Sequence, residues 1–151
     1  MTITIPCLGK KTSLILVFGA IFFLSSCTPL STSRVSPTLS KLNAVNLTVN
    51  QLITYKAEPP LGSNWQSYEE TLLILTGDCE DYAILKAHYL KEFPKKTIVV
   101  VWTREEGYAH AVLEVTLGNQ KFYLDNRFDY VLNQDQFISN YIPIYRTQRG
   151  L

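Results

Sequence analysis

Near Pro94 the chain changes its apolar rhythm, and that change limits the fold more than any other feature of the sequence. Before it, apolar residues recur at three- and four-residue steps; after it, β-branched runs alternate with turn residues. From Lys41 to Tyr55, apolar Leu42, Val45, Val49, Leu52 and Ile53 form one helical stripe, which Glu58-Pro59-Pro60-Leu61-Gly62 then breaks. Ser67 followed by Glu70 fits a capping box and opens a short helix through Leu72, Leu73 and Leu75 that stops at Gly77. Asp78 is placed to cap a third helix, with Cys79 in its first turn and Ala83, Ala87 and Leu90 on one stripe. Strands are expected from Thr97 to Trp102, Tyr108 to Leu117 and Lys121 to Asp125, with Gly118-Asn119 as the turn between the last two. Tyr141 to Arg146 adds another strand, which Pro143 confines to a sheet edge. Helices first and an antiparallel sheet second make an α+β domain.

The chain has 151 residues, 46% of them hydrophobic and 18% charged, a globular composition. Residues 1 to 26 carry the parts of an export signal: basic Lys10-Lys11, an apolar run from Leu14 to Leu24, then Ser25-Ser26. That run is shorter than the roughly 20 residues a membrane-spanning helix needs. Leu24-Ser25-Ser26-Cys27 resembles the bacterial lipobox. The resemblance implies a signal cut before Cys27 and a lipidated Cys27 thiol, several acyl chains making a stable anchor. Thr28 stands where an aspartate commonly marks inner-membrane retention, so the same resemblance favours the outer membrane, facing the periplasm. The alternative is a soluble secreted protein cut near a cysteine. Residues 27–40, rich in Ser and Thr with Pro29 and Pro37, read as a tether, which leaves 41–151 as the domain. Without the signal, 12 basic side chains face 13 acidic ones. That balance excludes a groove built on phosphate neutralisation, and no nucleic-acid partner is expected.

With Cys7 removed and Cys27 lipidated, Cys79 is the remaining thiol, either buried and inert or kept for its chemistry. A helix N-terminus stabilises thiolate over thiol. A nucleophile needs a base, and His88 lies about 13.5 Å along the same helix, too far to share a proton. His110 is the candidate that remains. A two-residue turn at Gly118-Asn119 pairs Leu117 with Gln120 and puts Asp125 opposite Val112, on the face of His110 and roughly 7–8 Å from it diagonally. Asp125 would then orient the imidazole. A three-residue turn would send Asp125 to the other face, leaving a histidine satisfied within the sheet.

Gly77-Asp78-Cys79-Glu80-Asp81-Tyr82-Ala83-Ile84-Leu85-Lys86 resembles the signature of the bacterial transglutaminase-like cysteine proteinases. The likeness extends over residues 42 to 146. It takes in Val45-Asn46, Val49-Asn50, Trp65 with Glu70, His110-Ala111-Val112-Leu113, Leu124-Asp125-Asn126 and Tyr141-Ile142-Pro143-Ile144-Tyr145. It departs at Ser67-Tyr68, where the family often has Thr-Pro, in its short length and in its lipobox. The resemblance implies a papain-like, transglutaminase-like core, with helices packed on an antiparallel sheet and Cys79, His110 and Asp125 as the triad. It also implies a protein substrate, a large surface adhesin whose release frees biofilm cells, and control by an inner-membrane receptor.

Asp78, Glu80 and Asp81 crowd three carboxylates around Cys79, and nearby negative charge disfavours the thiolate. Capping and solvent exposure could spare them; the competing reading is a bound divalent cation, for which clustered carboxylates suit calcium rather than zinc. In the resembling family the acids flanking the cysteine go with calcium dependence, which maps here to Asp78 and Glu80. The expected protein is a cysteine protease. The same thioester resolved by an amine would make it an acyl transferase, and a spent Cys79 would leave a peptide-binding lipoprotein.

Overall fold

The computed structural model describes residues 36–57 and 65–151. The export signal, Cys27, the tether up to residue 35 and the Pro59-Pro60 break lie outside the described residues. Helix α1 spans Pro37–Leu52, beginning earlier than the apolar stripe suggests. Proline suits a helix start, since its φ is preset and its missing N–H would have had no partner there. Residues 37 to 40, read above as tether, are therefore helical. The helix also stops short of Tyr55, because Thr54–Tyr55 form strand β1, paired in parallel with β2, Thr76–Gly77.

Helix α2, Tyr68–Ile74, starts at the expected capping box: Glu70 N donates to Ser67 Oγ (3.2 Å) and Ser67 N to Glu70 Oε2 (2.7 Å). It ends at Leu75, which is left-handed at φ 55°, rather than at Gly77. This places Leu75 O to accept Thr54 N at 2.9 Å and so begins the β1–β2 pair. Helix α3, Cys79–Tyr89, is buried from Cys79 to Ala87 and is the central helix of the domain.

The sheet contains β3 (Lys96–Thr103), β4 (Ala109–Leu117), β5 (Gln120–Leu124) and β6 (Tyr141–Thr147), antiparallel in the order β5-β4-β3-β6. Strand β6 is an edge, as Pro143 requires. Val100 pairs with Tyr145 and Val101 with Pro143, so Ile144 bulges out of the ladder. Alternate residues of the sheet feed two cores. Ile98, Ala111, Leu113, Val115 and Leu124 pack with Leu42 of α1 and with Ala83, Ile84, Ala87 and Leu90 in and beside α3. Val99, Val101, Val112 and Tyr123 pack instead with Leu132, Phe137 and Tyr141.

The second core depends on helix α4, Gln134–Asn140, which the sequence reading did not foresee. Only Phe137 of this helix is buried, too little to make a periodic signal. Its ring stacks on Tyr123 at 3.8 Å, and burying such a side chain stabilises by about 1.5–3 kcal/mol. Among the described residues, no helix is long and apolar enough to cross a membrane.

Candidate active site

The hairpin has the two-residue turn: Leu117 pairs with Gln120 and Leu113 with Leu124. Asp125, one residue beyond β5, therefore falls on the side of His110. His110 Nε2 and Asp125 Oδ1 are 2.9 Å apart, and both residues are buried. A carboxylate only accepts, so the imidazole proton sits on Nε2 and Nδ1 is left for another partner. Arg127 N also donates to Oδ1 (2.9 Å), and the Tyr141 hydroxyl donates to Oδ2. Burial pushes the Asp125 carboxyl up, but the His110 hydrogen bond and charge, the Tyr141 hydroxyl and the Arg127 amide outweigh it, leaving it below the ordinary carboxylate value.

The chain around Asp125 is tied to α1. Asn50 Nδ2 donates to Asp125 O (3.1 Å) and to Phe128 O (2.9 Å), and Asn46 Nδ2 donates to Phe128 O (2.7 Å). These two asparagines stand four residues apart, a polar pair beside the apolar stripe of Val45 and Val49. That pairing was the signal available in the sequence for their role. Lys86 is fully buried, with its ammonium 5.7 Å from the Tyr82 ring centroid. Burial brings its pKa down to about 7, while the Asp125 charge pulls the other way.

Cys79 begins α3 with its side chain buried. Its thiol donates to Glu80 Oε2 at 3.1 Å, and among the described residues no hydrogen bond joins it to His110. Burial raises the thiol pKa, then the Glu80 charge and hydrogen bond, then the Asp78 charge. The backbone of Ala111, the residue after His110, opposes this and places β4 directly against the thiol. The helix terminus therefore does not by itself activate Cys79. Nor does exposure spare the acids, because Asp78, Glu80 and Asp81 are all buried.

Asp81 is occupied as a cap, accepting Asp78 N on Oδ2 (3.1 Å) and Gln66 N on Oδ1 (2.9 Å). Ligand atoms of Asp78, Cys79 and Glu80 all lie within 4.8 Å of one another. Two buried carboxylates converging at that spacing fit a hard, oxygen-seeking cation such as calcium. Zinc would look for more sulfur or imidazole.

Beside His110 lies a cleft of about 220 Å³ lined by Tyr55, Tyr108, His110, Asn126 and Arg127. The Arg127 guanidinium sits 5.8 Å from the Tyr108 ring centroid and pairs with Glu106. A larger hollow of about 350 Å³ near the hairpin turn, lined by residues such as Asn119, Lys121 and Gln134, holds neither nucleophile nor base. His88 stacks on Tyr68 at 3.7 Å, a packing contact away from this cleft.

The family model described as bacterial transglutaminase-like cysteine proteinase (BTLCP) matches residues 25–149. Among solved structures, calcium-bound LapG of Legionella pneumophila is similar, with a TM-score of 0.65 and 26% identity over 75% of this chain and 66% of that one. LapG treated with EGTA gives a TM-score of 0.64 and 26% identity over 74% and 64%. The chain thus spans a little less than two thirds of LapG. No curated protein matches it. With the family model covering most of its length, the chain belongs to the bacterial transglutaminase-like cysteine proteinases, a family of cysteine peptidases.

Proposed function

We propose that the chain is a lipid-anchored cysteine protease facing the periplasm from the outer membrane, with Cys79, His110 and Asp125 as its triad and a surface protein of the adhesin type as its substrate. The observation that carries the triad is the buried His110–Asp125 pair, adjoining the strand position where Ala111 meets the Cys79 thiol. In the reaction His110 Nδ1 takes the Cys79 thiol proton as the sulfur attacks a peptide carbonyl carbon. The imidazolium of His110 gives its Nδ1 proton to the leaving amine as the C–N bond breaks, leaving a thioester. Water then attacks the thioester, His110 Nδ1 takes one of its protons and passes it to the Cys79 sulfur as the C–S bond breaks, releasing the carboxylic acid and regenerating the thiol. Asp125 keeps Nε2 protonated throughout and stabilises the imidazolium.

Glu80 is the competitor within this arrangement, since it holds the thiol proton that His110 must take. Asp78 and Glu80 are the residues that would hold calcium. When bound, the ion would supply positive charge that offsets the two carboxylates flanking Cys79. The calcium-bound and EGTA-treated states of LapG support this assignment by likeness. Cys27 carries the lipid in this reading, the residues between it and the start of α1 at Pro37 link the anchor to the domain, and an inner-membrane receptor is the regulating partner.

The experiment compares proteins released from the surface of cells that carry intact Cys79 or Cys79→Ala. Release that depends on Cys79 supports the reading; equal release from both refutes it. For the anchor, Cys27→Ser should abolish partitioning into detergent, and an unmodified mature chain in mass spectrometry would refute lipidation.

A further inference from the structure

A fourth side chain converges on the His110–Asp125 pair. Tyr141 opens strand β6, its backbone fixed on both sides: its amide donates to Phe137 O at the end of α4, and it pairs with Thr103 of β3. The side chain is completely buried. Its hydroxyl donates to Asp125 Oδ2, the oxygen that His110 does not use. Its ring lies on the imidazole with centroids 5.8 Å apart and planes at 27°, and Phe137 flanks it at 5.5 Å. The Arg127 guanidinium is 5.8 Å from the same ring.

We propose that Tyr141 is a positioning residue of the active site, whose hydroxyl locks the Asp125 carboxylate so that Oδ1 faces His110 and the imidazole proton stays on Nε2. A carboxylate turns about a broad, two-fold torsion, so one hydrogen-bonded oxygen does not fix its plane. Oδ1 already serves both His110 Nε2 and Arg127 N, and only a donor on Oδ2 closes the rotation. Tyr141 suits that task. Burial, followed by the Asp125 charge, drives its pKa upward, so the phenol stays protonated and can only donate to the carboxylate. Packed between His110 and Phe137, the ring cannot swing aside to release it.

The inference rests on the reading that His110 and Asp125 serve Cys79, yet its test needs no substrate. The chain has two histidines, so the ring nitrogens of His110 can be followed by NMR in the full chain in detergent, with His88→Gln to assign them. Tyr141→Phe removes the hydroxyl and keeps the ring. Tyr123→Phe is the matched control: it too deletes a buried hydroxyl, one bonded to Gln134 Oε1 at 2.7 Å, in the same aromatic cluster but away from the pair.

Wild type and Tyr123→Phe should show His110 as a single Nε2-protonated tautomer. Tyr141→Phe should shift both nitrogens toward the averaged values of a mixed tautomer, even where the two variants melt alike. An unchanged His110 signature in Tyr141→Phe would overturn the proposal. If Asp125→Asn also left the signature unchanged, the His110–Asp125 pair itself would fall and the proposal with it. Fluorotyrosine at position 141 keeps the bond but strengthens the donor, so it covers the case of a variant that does not fold. It should move the His110 nitrogens, and a signature identical to wild type would again refute the role.

Discussion

Replacing Asn50 and Asn46 by leucine, singly and together, should separate two amides that differ in what each leaves behind. Both changes keep the number and branching of the side-chain heavy atoms, and both add the same methyl bulk. Each also removes an amide oxygen that is buried without a hydrogen-bond partner among the described residues, so that gain cancels between them. What does not cancel is the fate of the carbonyls. Phe128 O is shared, so either single change leaves it one donor, whereas Asp125 O takes its side-chain hydrogen bond from Asn50 alone among the described residues. A buried acceptor stripped of its donor costs about 1–3 kcal/mol. Asn50→Leu should therefore be the worse by about 1–3 kcal/mol. For a domain of about 110 residues, with an unfolding entropy near 2.1 cal/mol/K per residue, that lowers Tm by about 4–13 °C relative to Asn46→Leu. The double variant should lose about 1–3 kcal/mol more than the two singles combined, because Phe128 O then has neither donor. Calorimetry on the four proteins reads all three quantities. Equal drops for the singles, or strict additivity, would show that these bonds do not hold the Asp125 segment.

Gly77→Ala would push a Cβ to 2.7 Å from Asp81 Cβ and Oδ2. It should break the Asp81 bonds to Asp78 and Gln66, cost roughly 1–3 kcal/mol and lower activity, and a melting temperature equal to wild type would refute the cap. Lys86 titrates at about 7 when folded, against 10.5 ordinarily, so the unfolded chain binds more protons between those values and stability rises with pH across that window. Lys86→Met should therefore melt higher than wild type near pH 6, with the advantage shrinking toward pH 10.5; a constant advantage would mean the ammonium is not strained by burial. EGTA should suppress peptidase activity and added calcium should restore it, with magnesium a poor substitute because it demands a smaller octahedral shell. Full activity in metal-free protein would assign Asp78 and Glu80 to capping and packing alone.

Much of the site was legible because it depends on local counting. The turn at Gly118-Asn119 sets the register of β4 and β5, and that register alone decides whether Asp125 reaches His110. The capping box at Ser67 and the edge placement of Pro143 follow from the chemistry of single residues in the same way. Helix α4 was not legible, because its one buried residue, Phe137, acts through stacking on Tyr123 across the sheet. Tyr141 read as a strand residue; its contact with Asp125 depends on how the chain returns to β3 after α4. The acidic cluster was visible, but its burial was not. Glu80 lies next to Cys79 in sequence, yet only the fold shows the thiol donating to it rather than to an imidazole.

If Cys79 attacks the peptide bond, the acyl-enzyme it forms can be captured directly. Purified, calcium-loaded protein would be mixed with a surface-protein extract, quenched in acid at short times and digested for mass spectrometry. The Cys79 peptide should carry an acyl fragment ending at the cleavage site, removable by hydroxylamine, and Cys79→Ala should yield neither adduct nor new N-termini. Unmodified Cys79 at every time point, with Cys79→Ala producing the same new N-termini at the same rate, would mean that Cys79 is not the nucleophile.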